Sequence, residues 1–196
     1  VRLNRMVGVQ QETKDMLTAA LRYLQRKAAV EVKDMKKEAE KKRNVRPSEL
    51  AIHYLYILSL DGRKLDPAAT YLLQNMAERT GEFTIYGKAR AAVVLASNGQ
   101  QAKAADYLQS IAEYSVSRPG MGRYFDTRNA YYSWRDYKIP TPVAAIEATE
   151  MLGKKAGKAF AAGNRTMQQA VEEINLVVMQ SKPTQALETQ NNQGTA

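Results

Sequence analysis

The chain has no cysteine and a single histidine, His53. Disulfides, thiolate metal sites and cysteine nucleophiles are therefore closed to it, as is any two-histidine metal centre. Long apolar runs are also missing. The longest is six residues, Ala91 to Ala96, whereas a membrane-crossing helix needs roughly 20. The chain begins with valine and carries no signal-peptide pattern; it reads as a piece of a longer protein, and that absence says nothing of its compartment. What is present is ordinary for a globular domain: 44% of the 196 residues are hydrophobic and 25% charged. A chain of this length buries roughly 70% of the surface it exposes when unfolded, so a sizeable core is expected.

The net charge of +9 is unevenly placed. Residues 1–46 hold 13 Lys/Arg against 6 Asp/Glu, a net of +7; the remainder holds 16 against 14, a net of +2. Lys36-Lys37 and Lys41-Lys42-Arg43 are interleaved with Glu38 and Glu40 and have no aromatic neighbours on which bases would stack. A solvated helix face is the expectation here, and no nucleic acid is expected as a partner.

Helical signals dominate the chain. From Gln11 to Arg43, Leu17, Leu21, Leu24, Ala28, Val32, Met35 and Ala39 recur at spacings of three and four, an amphipathic helix with one apolar stripe. Ser48 to Leu60 differs: Leu50, Ala51, Ile52, Tyr54, Leu55, Tyr56, Ile57 and Leu58 cover nearly the whole circumference, as in a buried helix. Asp66-Pro67 is a cap followed by an N1 proline, opening a helix to Arg79. Thr84 opens another that is apolar nearly all round, closed by Asn98-Gly99. Gln101 to Ser117 is amphipathic, with Ala105, Leu108, Ile111 and Ala112 inward. Thr141-Pro142 repeats the cap-and-proline start. Thr166 with Gln169 opens a last amphipathic helix ending near Gln180, with Val171, Ile174, Val178 and Leu176 inward.

Buried helices thus begin near 48, 84 and 141, and amphipathic ones near 11, 66, 101 and 166. The alternation predicts an all-α fold: a partial α/α toroid of inner and outer helices over residues 11–182, between an N-terminal tail (1–10) and a polar C-terminal tail (183–196). A helical bundle or repeat solenoid is the alternative. A short aromatic β-hairpin is expected as an insert near 120–138, with Gly122–Asp126 against Ala130–Arg135. Arg118 to Pro140 holds the only Trp and four Tyr. Tyr and Trp enrich interfaces, so Tyr124, Tyr131, Tyr132 and Trp134 are candidate contacts for a neighbouring domain or partner.

Candidates for chemistry are weaker. His53 lies in an apolar helix with no second ligand in register and reads as a core or groove histidine. Glu147 and Glu150 sit i,i+3 on one helix, whereas the opposed acids of a glycosidase come from separate elements across a gap; Glu147 is expected to be a polar contact. Gly120-Met121-Gly122 has no following helix and is no phosphate loop. Asn164-Arg165-Thr166 fits the glycosylation pattern, which arises often by chance. No catalytic residue, metal or cofactor is assigned.

Longer stretches resemble a known family. Thr84-Ile-Tyr-Gly-Lys-Ala-Arg-Ala-Ala-Val-Val-Leu-Ala, Gly99-Gln-Gln-Ala-Lys-Ala-Ala, Arg123-Tyr-Phe-Asp, Tyr131-Tyr-Ser-Trp-Arg-Asp-Tyr-Lys-Ile-Pro-Thr and Val143-Ala-Ala-Ile-Glu-Ala are similar to the thioester domain of the alpha-2-macroglobulin family, in its bacterial envelope form. The resemblance covers about residues 11–190. It implies an α/α toroid and a role in protease trapping or inhibition in the periplasm or cell envelope, with proteases and neighbouring domains of the parent as partners and self-association possible. The family's thioester joins a Cys and a Gln; with no Cys here, no acyl donor is carried over. Two rivals from other classes are a carbohydrate-active toroid enzyme, which an inward acidic pocket would favour, and a helical interaction module.

Overall fold

A computed structural model describes residues 11–43, 45–79, 83–120, 122–125, 140–152, 169 and 171–179. Among these residues the chain forms α1 (Gln11–Glu40), α2 (Glu49–Asp61), α3 (Pro67–Ala77), α4 (Ile85–Ser97), α5 (Gln101–Glu113), β1 (Ser115–Arg118), β2 (Gly122–Phe125), α6 (Pro140–Leu152) and α7 (171–179). The fold is all-α with one short antiparallel hairpin. The expected tails, 1–10 and 183–196, lie outside the described residues.

Capping residues set the helix starts. Ser48, Asp66 and Thr84 each sit in extended backbone and accept a hydrogen bond from the amide three residues on, Ala51, Ala69 and Gly87. Each bond satisfies one of the amides that the first turn leaves without an intrahelical partner. Gly62 closes α2 at φ +64°, with its amide on the carbonyls of Leu58 and Ser59; that left-handed conformation is cheap only for glycine.

The helices assemble as the alternation of buried and amphipathic segments implies. α4 packs on α2 and on α6, while the amphipathic helices cover them from outside: α1 on α2 and α3, α3 on α2 and α4, α5 on α4 and α6. α4 is the most enclosed, with Ala89 and Ala91 to Leu95 out of solvent. Its alanines let backbones approach closely, and the neighbours supply bulk: Leu55, Leu72, Met76, Tyr107, Leu108 and Ile111 are fully buried. The Tyr107 hydroxyl donates to the Met76 carbonyl, so its one polar atom is satisfied inside the core. Lys88 is also buried; its ammonium donates to Ser110 Oγ at 2.7 Å and lies 4.7 Å from the Tyr114 ring centroid. Burial holds its pKa below the ordinary lysine value.

Several expectations are corrected. The stripe on α1 is buried only in its C-terminal half, at Ala28, Val32 and Met35, with Leu24 packed beside them. Leu17 and Leu21 are half-buried, because the N-terminal turns of this 30-residue helix extend past the shorter α2 and α3; Ala39, in the last turn, is exposed. α2 is not enclosed on every side: Leu50 and His53 open to solvent. α5 ends at Glu113 rather than Ser117, and the inward set is Ala104, Tyr107, Leu108 and Ile111, with Ala105 and Ala112 at its margin. On α7, Ile174 is buried but Leu176 is exposed. α6 already includes Pro140, so Thr141 is a buried first-turn residue and not a cap.

The hairpin differs in its pairing. Gly122–Phe125 runs against Ser115–Arg118, with Arg118 opposite Gly122 and Ser115 opposite Phe125. The helix ends at Glu113 with Tyr114 as its C-cap; beyond it Val116 suits a pleated strand, and Pro119 favours extended backbone at Arg118. Gly120 (φ +76°) and Gly122 (φ +81°) carry the positive angles that turn the chain, which is what the G-x-G spacing serves. The proposed strand Ala130–Arg135 lies outside the described residues.

Candidate functional site

Where α2, α4 and α6 meet, each contributes polar side chains to one strip. On α2, His53 and Tyr56 are three residues apart, and on α4 Tyr86 and Arg90 are four apart. Both spacings place a pair on one helix face. Glu147 of α6 completes the group. Its carboxylate accepts from the Tyr56 hydroxyl, 2.8 Å from each oxygen, and from Arg90 Nη1 at 2.8 Å. The Arg90 guanidinium carbon lies 3.9 Å from the Tyr56 ring centroid and 5.1 Å from that of Tyr86. Arg90 and Glu147 are only 16% and 15% exposed, so the pair is largely shielded from water. Arg90 Nε is buried with no hydrogen-bond partner among the described residues.

His53 borders the cluster with its ring 6.3 Å from that of Tyr56. Partial burial, followed by the nearby Arg90 charge, holds its imidazole below the usual histidine pKa. His53 is thus an exposed residue at the edge of the cluster, outside the core. Glu147 is the polar contact expected of it. Glu150, three residues on, is exposed and does not join it.

The arrangement braces the three helices: one carboxylate on α6 accepts from a phenol on α2 and from a guanidinium on α4. Among the described residues no group of three or more His, Cys, Asp or Glu side chains is placed to hold a metal ion. Sequence reasoning had singled out Glu147 and His53 but not Tyr56, Tyr86 or Arg90. One signal for them was legible: an arginine in a helix otherwise apolar all round requires an anionic partner if it is to be shielded from water.

A second junction ties the starts of α2 and α4. The Glu49 carboxylate accepts from the Thr84 hydroxyl at 3.1 Å and its amide at 3.4 Å. A Cβ on Gly87 would come within 2.5 Å of it. Burial pushes the Glu49 pKa up, against the hydrogen bonds from Thr84 that lower it. At the opposite end of the chain, Glu173 of α7 holds the hairpin. It accepts from Ser117 Oγ at 3.0 Å and Arg123 Nε at 3.2 Å, and Arg123 Nη1 donates to Ser115 Oγ at 2.6 Å. The hairpin is thus seated through Arg123 and Phe125, both buried.

Of the four aromatic residues singled out as partner contacts, Tyr124 lies on β2 and is half-buried. Tyr131, Tyr132 and Trp134 lie outside the described residues, as does Asn164-Arg165-Thr166. No helix of the described residues is long and apolar enough to cross a membrane. No family model, no curated protein and no solved structure matches the chain.

Proposed function

We propose that the chain is a non-catalytic part of a bacterial alpha-2-macroglobulin-like protein and contributes to protease trapping or inhibition in the cell envelope. The observation that supports this most is the order of the elements. Enclosed helices alternate with amphipathic covers, and a hairpin stands between α5 and α6, in the place where the sequence resembles the family's helix–helix–hairpin–helix run. A shared strip closed by Arg90, Tyr56 and Glu147 agrees with a scaffolding role rather than with hydrolysis of a glycan. Its partners in this reading are neighbouring domains of the parent and, through the parent, proteases. Nucleic acid and direct membrane insertion have no part in it. The location is the periplasm or cell envelope.

The test is to express the chain in its own gene's full reading frame and challenge the product with an endopeptidase. A trapped protease keeps its activity on a small chromogenic peptide and loses it on a large protein substrate. Loss of casein cleavage with retention of peptide cleavage is the expected result. Undiminished casein cleavage at a molar excess of the protein overturns the reading.

A further inference from the structure

The exposed N-terminal half of α1 does not lie idle against solvent. Between it and the C-terminal end of α2 is a cleft of about 400 Å³, within the range of small-molecule sites. Three cations line it: Arg22 from α1, and Arg63 and Lys64 from the segment after α2. Arg63 is paired with Asp61. Arg22 and Lys64 make no ion pair or hydrogen bond among the described residues. Two unengaged cations from separate elements thus face one concavity.

The floor of the cleft narrows the ligand. Asp66 lies there, with one oxygen accepting from the Ala69 amide and the other from Gln25 Nε2 and the Tyr54 hydroxyl. A carboxylate offers about four acceptor sites, so one remains. That oxygen repels a bare anion but accepts readily from a ligand hydroxyl. Leu21 and Leu58 add an apolar wall, and Thr18 a hydroxyl. We propose that the cleft binds a hydroxylated organic anion, a sugar bearing a phosphate or carboxylate, with its oxyanion on Arg22 and Lys64 and a hydroxyl on Asp66. This assignment is independent of the protease-trapping reading and involves no bond-making step.

Titration calorimetry on the full chain at low ionic strength tests it, with glucose 6-phosphate, glucuronate, glucose and inorganic phosphate as separate probes. Glucose 6-phosphate or glucuronate is expected to bind, the difference between them telling phosphate from carboxylate, and glucose and inorganic phosphate to bind at least about tenfold more weakly, since each lacks one half of the recognition. Arg22→Ser and Lys64→Ser should each weaken the sugar anion by about tenfold or more, while circular dichroism stays unchanged because both residues are exposed. Lys14→Ser, exposed on α1 but outside the cleft lining, should leave affinity unchanged. The proposal is overturned if neither sugar anion binds below about 10 mM. It is equally overturned if inorganic phosphate matches them, or if loss of Arg22 and Lys64 changes nothing.

Discussion

Removing the carboxylate of Glu147 is the most direct probe of how the three central helices are held. In Glu147→Ala, Arg90 keeps its place over the Tyr56 ring but loses the charge-assisted bond at 2.8 Å, and the Tyr56 hydroxyl loses its acceptor. A hydrogen bond to a charged group is worth about 1.5–3 kcal/mol, and breaking a fully buried ion pair costs about 3–5 kcal/mol. Arg90 and Glu147 keep some contact with water, at 16% and 15% exposure, so a value of about 2–3 kcal/mol is expected. For a chain of this size that lowers Tm by roughly 5–10 °C. Arg90→Met alone should cost a comparable amount, since Glu147 then loses its charged partner while still shielded from water. The double variant Arg90→Met with Glu147→Leu removes both charges together and should recover to within about 1 kcal/mol of the parent, because apolar replacement of a shielded pair is often neutral. Urea denaturation of the four proteins closes the cycle. If both single variants cost less than about 0.5 kcal/mol and the cycle is additive, the cluster is no brace.

Further outcomes follow from other contacts. His53 is the only histidine, so its ring protons titrate without overlap in NMR. The midpoint should fall below 6.5, the neutral form being favoured in the folded state, and Arg90→Met should raise it; an unmoved midpoint removes the Arg90 contribution. Because that folded pKa is depressed, the unfolded chain binds the proton more readily, and stability from this group falls as pH drops through and below 6.5. For Glu49 the folded pKa is raised, so the native state holds the proton longer and stability falls as pH rises through the interval above 4.5; Glu49→Gln should abolish that slope in denaturation measured against pH. Gly87→Ala would put a methyl group against the Glu49 carboxylate and should cost about 1 kcal/mol through the displaced Thr84 contacts, read as a shift in urea midpoint that Glu49→Ala suppresses. Val32→Glu buries an unpaired carboxylate and should cost about 3 kcal/mol or more, whereas Leu17→Glu, on the overhanging half of α1, should leave Tm nearly unchanged. Equal effects at both positions would refute the assignment of the buried seam.

Much of this architecture was legible in one dimension because its causes are local. Ser48, Asp66-Pro67 and Thr84 mark helix starts by chemistry acting within three residues. Gly62 marks a stop by a conformation only glycine adopts cheaply. The contrast between α4, apolar on every side, and the one-sided stripes of its covers predicted which helices would lie inside, since burial follows the share of a helix surface that water would wet unfavourably. Pro119-Gly120 was a local signal too, and reading it would have placed β1 correctly. Other features depend on distant partners. How far along α1 the stripe is covered depends on the lengths of α2 and α3. The partners of Glu147, Tyr56 and Arg90 at separations of 57 and 91 residues, and the meeting of Arg22 with Lys64 across one cleft, were set by the packing of whole helices. Periodicity tells which face of a helix turns inward, but carries no record of which other helix it will meet there.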